Sequence, residues 1–250
     1  MSATTEIKED IYRFGWRDIS TKMPDGTVRT KRIPLTLKDC LYPEEGDVMA
    51  TGRDHEAIIR YLAGLLERRL DLDAGELVNA DCQFRWGHPT IGNHSPDIAV
   101  TFGVSNPDRD FQSFDVMEEG VKPSVIIEVV SPNVRQNDVT TKVNEYHQLG
   151  IPWYFIVDWE DEDGPRSLIG YRYAPLGYVR LKPADDGRLW VEALNLWMEA
   201  KERSVVCYDG KTGQRILGEK ELERLAEHEK TRADAAEARF RELEAKLAGQ

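Results

Sequence analysis

The 250-residue sequence contains little of what membrane-spanning or disulfide-stabilised proteins require. No apolar run approaches the roughly 20 residues of a transmembrane helix, and residues 1–6 lack the basic and apolar regions of a signal peptide. The three cysteines, Cys40, Cys82 and Cys207, are odd in number and far apart, unlike a disulfide framework or a zinc cluster. These absences predict a protein of the reducing cytoplasm without a membrane partner.

The sequence also lacks the overall positive charge typical of proteins with a broad nucleic-acid surface. Its formal net charge is −12, divided into +2 over residues 1–40, −12 over residues 41–217 and −2 over residues 218–250. Any contact with DNA must therefore depend on a local patch. The best candidate is the basic group Arg29, Lys31, Arg32 and Lys38, although a solvated hairpin explains these charges equally well.

Three segments follow from the pattern: an N-terminal arm or hairpin over residues 1–40, a core over residues 41–217 and a C-terminal helix over residues 218–250. The turn signal Pro24-Asp25-Gly26 predicts the hairpin. In the core, apolar periodicity predicts helices over residues 54–70 and 137–149, the first capped by Asp54. Predicted strands cover residues 77–86, 97–102, 125–130, 153–158, 167–173, 178–181, 189–191 and 204–208. The strand–helix–strand order over residues 125–158 predicts a βαβ unit and an α/β core.

The C-terminal segment is a candidate coiled coil, since residues 219–248 contain neither proline nor glycine. Residues spaced alternately four and three apart form a heptad seam: Leu222, Ala226, Glu229, Ala233, Ala236, Phe240, Leu243 and Leu247. The glutamate and the alanines weaken this seam. It predicts a homodimer or higher oligomer, and the alternative is a single solvated helix packed on its own core.

Two acids interrupt apolar segments that read as buried strands. Asp97 opens the run over residues 97–102, and Glu128 lies inside the run over residues 125–130. A buried charge without a partner costs several kcal/mol, so each acid needs one. Carboxylates on neighbouring strands suit Mg²⁺, which takes hard oxygen ligands, and Mn²⁺ is a possible substitute. The backbone carbonyl of Val129 is a candidate third ligand, and such a site is suited to phosphodiester hydrolysis.

The helix after Glu128 supplies a candidate catalytic lysine. Asp138, Lys142 and Tyr146 follow one another at intervals of four, so they share a helix face. A lysine there can orient the attacking water or stabilise phosphate charge. We expect the Lys142 side chain to be exposed, as helix lysines usually are, so that its removal lowers the rate more than the stability.

Structural explanations for these residues stay open. Asp97 can be a turn residue, Glu128 can form a purely structural salt bridge with Lys142, and Asp138 can be a first-turn acid favoured by the helix dipole. Tyr146 is more typical of a core aromatic. The histidines at positions 55, 88, 94 and 147 lack metal-ligand spacing, and His88 and His94 are expected to be exposed beside a loop.

Several stretches resemble the Uma2 family of restriction-endonuclease-like proteins over roughly residues 34–200. They are SPDIAV at residues 95–100, VIIEVVSP at 125–132, DVTTKVNEY at 138–146, LGIPWYFIVD at 149–158, PEEGDV at 43–48, and His55. The resemblance implies the PD-(D/E)XK nuclease superfamily and a restriction-endonuclease-like core, in which helices flank a central mixed sheet. It implies Mg²⁺-dependent DNA cleavage with Asp97 and Glu128 as metal ligands.

One residue departs from the superfamily pattern. The superfamily lysine normally stands two residues after the second acid, and that position is Val130 here. The family's usual lysine lies on the following helix, which corresponds to Lys142. The leading hypothesis is therefore a DNA endonuclease, dimeric through its tail. The alternatives are an inactive nuclease-fold binding or assembly module, favoured by the acidic composition and the missing strand lysine, and a carboxylate-pair hydrolase of another substrate.

Overall fold

The computed structural model describes residues 10–160 and 164–248, in which strands and helices are interspersed along the chain. In chain order the strands are β1 (Gly15–Lys22), β2 (Val28–Pro34), β3 (Asp47–Met49), β4 (Leu77–Ala80), β5 (Gln83–Arg85), β6 (Ile98–Thr101), β7 (Ser113–Asp115), β8 (Val125–Val129), β9 (Trp153–Asp158), β10 (Ser167–Arg172), β11 (Val179–Arg180), β12 (Leu189–Val191), β13 (Leu196–Lys201) and β14 (Ser204–Asp209). The helices are α1 (Leu37–Leu41), α2 (Arg53–Glu67), α3 (Val116–Glu119), α4 (Lys142–Gln148) and α5 (Glu219–Ala248). A π-helical turn, Asn137–Thr141, leads directly into α4.

A six-stranded mixed sheet forms the centre of the fold. Its spatial order is β11-β10-β9-β8-β6-β4. Strands β8 and β9 are parallel and are joined by the segment that contains α4, whereas the other neighbours pair antiparallel. This arrangement confirms the predicted α/β class, the central mixed sheet and the βαβ unit.

The two faces of the sheet carry separate hydrophobic clusters, because successive side chains of a strand point to opposite faces. On β8, Val125, Ile127 and Val129 pack with the apolar side of α2. Ile126 and Val130, which alternate with these residues along the chain, belong to the cluster of Tyr146 and Tyr154 on the α4 side. By the same alternation, Glu128 must point toward α4, where an acid can meet polar groups of that helix.

Three local expectations were wrong. Helix α2 is capped by Gly52, so Asp54 lies in its first turn and pairs instead with Arg203. The strand expected over residues 77–86 is divided into β4 and β5, because Asp81 takes a left-handed conformation with φ 54°. Strand β13, whose sequence LWMEAK gives no clear alternation, was not expected.

Smaller sheets surround the central one. The expected N-terminal hairpin is formed by β1 and β2, and β3 adds to it in the order β2-β1-β3. Arg17 on β1 binds Asp47 on β3 through two hydrogen bonds of 2.5 and 2.8 Å. The hairpin thus contacts a strand from the segment assigned to the core, and the three-segment division stays a prediction. No helix in the described ranges is long and apolar enough to cross a lipid bilayer.

Candidate active site

The two acids singled out in the sequence face each other across an antiparallel strand pair. Ile98 on β6 pairs with Ile127 on β8, so Asp97, one residue earlier, stands opposite Glu128, one residue later. Directly opposed residues project from the same face of a sheet. The backbone N–H of Asp97 donates to Oε2 of Glu128 over 3.4 Å, which places both acids at one end of the pair.

Asp97 is the more accessible acid, with 18% of its side chain exposed. Its Oδ2 accepts a 2.7 Å hydrogen bond from the N–H of Val129 and lies 3.3 Å from Nε2 of His55, in the first turn of α2. The N–H and C=O of one strand residue point to the same side, so the Val129 carbonyl also points toward Asp97. No hydrogen bond within the described residues reaches Asp97 Oδ1, which leaves that oxygen available to a ligand.

Glu128 lies with Lys142 and Asp138 in a buried cluster. Lys142 Nζ is 2.9 Å from Glu128 Oε1 and 2.8 Å from Asp138 Oδ1. Glu128, Asp138 and Lys142 are only 2%, 3% and 7% exposed, so the expectation of an exposed Lys142 was wrong. The lysine is buried because its two acids lie beneath the helix, where a cation offsets charges that water cannot reach.

The shared helix face explains how α4 delivers these groups. The π-helical turn ends with a bond from the N–H of Lys142 to the carbonyl of Asn137, and Asp138 and Lys142 still pair at an interval of four. One turn later, the hydroxyl of Tyr146 donates to Glu128 Oε1 over 2.9 Å. Tyr146 is therefore a core aromatic that also contacts the site, and the predicted face of Asp138, Lys142 and Tyr146 is confirmed.

The cluster contains more acidic than basic side chains. Burial raises the pKa of Glu128 to about 8 and also raises that of Asp138, although the Lys142 ammonium acts in the opposite direction. The same acids hold the pKa of Lys142 above its ordinary value despite its burial. Burial opposes the charged form of His55, yet contact with Asp97 leaves its pKa raised. Three carboxylates thus share one lysine and one titratable histidine.

This donor set suits a divalent cation of the magnesium type. Asp97 Oδ1, Glu128 Oε2 and the Val129 carbonyl are hard oxygen atoms, and a +2 charge would balance the excess of carboxylates. Within residues 10–160 and 164–248, no group of three or more His, Cys, Asp or Glu side chains forms a ready-made metal cage. A bound ion would therefore take its remaining ligands from water and substrate, as Mg²⁺ commonly does.

A second buried network, which sequence reasoning missed, supports α4. His94 is 0% exposed, so the expectation of an exposed His94 was wrong. Its Nδ1 accepts from the indole N–H of Trp86 over 2.9 Å, and its Nε2 lies 2.7 Å from Glu145 Oε2. Burial lowers the pKa of His94, and a neutral ring with its hydrogen on Nε2 satisfies both bonds. Tyr42 also donates to Glu145.

His55 was another unexpected member of the site. Its separation from the other acids and histidines in the sequence gave no metal-ligand pattern, and only the family resemblance included it. In the structure its Nδ1 is buried without a hydrogen-bond partner among the described residues, while its Nε2 contacts Asp97. His88, by contrast, accepts a hydrogen bond from the backbone N–H of the nearby loop residue Thr90.

Comparison with known proteins identifies the family. The Uma2 model, described as "Putative restriction endonuclease", matches residues 44–168, which is half of the chain. The chain belongs to the Uma2 family. The matched range contains Asp97, Glu128 and Lys142, whereas the β1–β2 hairpin and α5 lie outside it, and membership in Uma2 supports a nuclease activity.

One solved structure similar to this Uma2 protein comes from Anabaena variabilis ATCC 29413 and is described as "a putative nuclease belonging to DUF820". It is 17% identical, the match covers 70% of this chain and 82% of that chain, and the TM-score is 0.44. No curated protein is significantly similar to the chain.

Proposed function

We propose that this Uma2 protein is a Mg²⁺-dependent endonuclease that hydrolyses phosphodiester bonds in DNA, with Mn²⁺ as a possible substitute. The observation that carries the proposal is the placement of Asp97 opposite Glu128, with Lys142 Nζ 2.9 Å from Glu128. Two carboxylates and a lysine within such reach are the groups that metal-assisted phosphodiester hydrolysis requires. Family membership supports the general class of reaction.

Each site residue has a proposed role. Asp97, Glu128 and the carbonyl of Val129 would hold the metal ion, which when bound would lower the pKa of a water molecule and offset charge on the phosphate. Lys142 favours the ionised form of Glu128 against the effect of burial and presents its ammonium group to the attacking water or to a phosphate oxygen. His55 positions the Asp97 carboxylate through Oδ2, which would leave Oδ1 available to a metal ion.

The location of Lys142 supports a catalytic site despite Val130 at the usual lysine position. A lysine on α4 reaches the second acid from the helix instead of from the strand, and its Nζ still contacts the Glu128 carboxylate. The inactive binding module, in contrast, predicts that the Lys142–Glu128 pair serves the fold alone. The two hypotheses differ in whether the acids are needed for cleavage.

We also propose that α5 joins two copies of the chain as a coiled coil in the cytoplasm. The described side chains from position 222 onward are exposed along this 30-residue helix. Leu222, Leu225 and Phe240 are 37%, 50% and 62% exposed, an unusual environment for large apolar residues on so polar a helix. The seam residues Leu243 and Leu247 have side chains outside the described set.

A cleavage assay tests the proposed chemistry. Purified protein should nick or linearise supercoiled plasmid DNA with Mg²⁺ or Mn²⁺ and should be inactive with EDTA. Asp97→Asn and Glu128→Gln should each abolish cleavage, whereas the exposed control Asp185→Asn should retain it. Cleavage that survives in both site variants would overturn the assignment, and absence of cleavage by a folded, metal-loaded wild-type protein would favour the inactive binding module.

A further inference from the structure

A cleft of approximately 650 Å³ opens directly beside the candidate metal site. It shares His55 with that site, and its wall includes Val130, the neighbour of the candidate ligand Val129. His55 contacts Asp97, so only the His55 side chain would separate a nucleic-acid strand in the cleft from the accessible acid. The cleft is therefore placed to hold the part of a substrate next to the reacting bond.

The rim of the cleft is locally cationic, although the whole chain is acidic. Among the described residues, three arginines line it, Arg13, Arg53 and Arg203, together with two acids, Asp10 and Asp54. Arg203 Nε donates to Asp54 Oδ2 over 2.7 Å, and their side chains are 54% and 34% exposed. An ion pair this exposed contributes little stability, so an incoming phosphate can compete for the Arg203 guanidinium.

A third feature lies behind the wall of the cleft. Arg166 is 4% exposed, and its Nε and Nη2 have no hydrogen-bond partner among the residues that the structure describes. Its Nη1 donates to the carbonyl of Val130 over 2.9 Å, and its guanidinium lies 4.2 Å from the ring centre of Trp159. Arg203 lies 4.9 Å from the same ring. Val130 and Trp159 both line the cleft.

The described residues offset the charge on Arg166 only weakly. No described carboxylate oxygen lies within the 4.0 Å of an ion pair with it, and its pKa is lowered by burial. A buried cation without a partner is costly. An anion held in the cleft beyond Trp159 would feel the positive potential of Arg166 through a medium that screens charge less than water does, and it would offset that cost.

We propose that this cleft binds the phosphate backbone of the DNA strand beside the scissile bond, with Arg53 and Arg203 as the phosphate-contacting residues. Arg166, which lies behind the wall of the cleft, acts as a fixed positive charge, and Trp159 separates it from the cleft. This inference rests on the proposed nuclease function. It adds the direction from which the strand enters, along the side of His55 and Val130 rather than over the hairpin patch of Arg29, Lys31 and Arg32.

Binding, measured apart from cleavage, tests this assignment. A short fluorescein-labelled DNA duplex is titrated with protein in EDTA, and anisotropy is followed over a range of salt concentrations. Arg53→Gln and Arg203→Gln should each weaken binding about eightfold at ~0.1 M salt and reduce the slope of log affinity against log salt by about 0.9, the value for one lost phosphate contact. Arg180→Gln on the sheet-edge strand β11 makes the same charge change at an exposed position outside the cleft and should alter neither value.

The outcomes separate this inference from the proposed function. Equal effects of all three variants would mean that the cleft has no special role, even if plasmid cleavage still requires Asp97 and Glu128. Loss of binding only in Arg29→Gln or Arg32→Gln would place the strand on the hairpin instead. Arg166→Met tests the buried charge: weaker DNA binding by a folded variant supports it, and unchanged binding removes Arg166 from the proposal. Should Arg166→Met not fold, the two surface variants decide the result.

Discussion

Lys142 Nζ lies 2.9 Å from Glu128 Oε1, although the two residues belong to different elements, a helix and the central strand β8. The contact crosses the interface between α4 and the sheet, where both side chains are buried. One ammonium group thereby serves two acids, since Asp138 lies 2.8 Å from the same nitrogen. The site is thus part of the structural core, and changes to it should affect both stability and activity.

Lys142→Ala should destabilise the protein strongly. Two buried carboxylates would lose their cation, and breaking a buried pair costs about 3–5 kcal/mol. Urea unfolding at neutral pH measures the loss, and the exposed control Lys201→Ala should stay within about 0.5 kcal/mol of wild type. Adding Asp138→Asn to Lys142→Ala should recover part of the stability. A Lys142→Ala protein as stable as wild type would contradict the buried cluster.

The ionisation of Glu128 should make metal-free wild type less stable as pH rises. An acid whose pKa is higher in the folded than in the unfolded state stabilises the fold fully at pH values below its unfolded-state pKa, and this contribution is lost as the pH rises toward its folded-state pKa. For Glu128 this range runs from 4.5 to about 8. Glu128→Gln cannot ionise, so at pH 8 it should be more stable than wild type. The difference should disappear near pH 4.5. Unfolding curves across this pH window check the prediction.

Tyr146→Phe should lower the cleavage rate more than a comparable change elsewhere. It removes the 2.9 Å bond to Glu128, whereas Tyr178→Phe removes a 2.8 Å bond to the carbonyl of Ile151. Each loss should cost about 1 kcal/mol of stability. Only Tyr146→Phe removes a hydrogen bond that positions the carboxylate assigned to the metal, so the cleavage rate of this variant should fall by about tenfold or more. Equal rates in the two variants would show that the tyrosine serves packing alone.

Truncation after Leu217 should convert a dimer or higher oligomer to a monomer and leave the core folded. The removed helix α5 contributes exposed side chains such as Phe240, while the contact of Tyr61 with the carbonyl of Ile216 stays intact. Phe240→Asp with Leu243→Asp should act similarly, because each places a charge in the apolar seam. Ala238→Asp adds a charge on the opposite side of the helix and should leave the oligomer intact. Multi-angle light scattering gives the number of chains per particle, and the same number for wild type and all three variants would exclude the tail as the interface.

Much of the fold could be predicted because the local hydrophobic patterns agree with the burial of each strand in the central sheet. The run at residues 125–129 is apolar at every position but Glu128, as a strand buried on both faces requires, and Gly150 ends the α4 segment with φ 68°. Strand β13 could not be predicted in this way, since its hydrophobic residues show no alternation that distinguishes a strand from a helix.

The candidate site was only partly visible in the sequence. The spacing of Asp138, Lys142 and Tyr146 indicated one helix face, but the burial of Lys142 depends on how that face docks on β8. The burial of His94 was not predicted, and spacing did not place His55 at the site, for the same reason: their partners, Glu145 and Asp97, are distant in sequence. Contacts made across the sheet cannot be inferred from spacing along one helix or strand.

Calorimetric titration with Mn²⁺ tests the central claim most directly, because it detects the metal site without requiring a correct DNA substrate. At pH 7 the wild-type protein should bind the ion at a site that releases protons, since the raised pKa of Glu128 leaves part of the cluster protonated before binding. Asp97→Asn and Glu128→Gln should each abolish that binding, and Asp185→Asn should leave it unchanged. A wild-type protein without this site, or one whose site persists in both variants, would contradict the assignment of Asp97 and Glu128 as metal ligands.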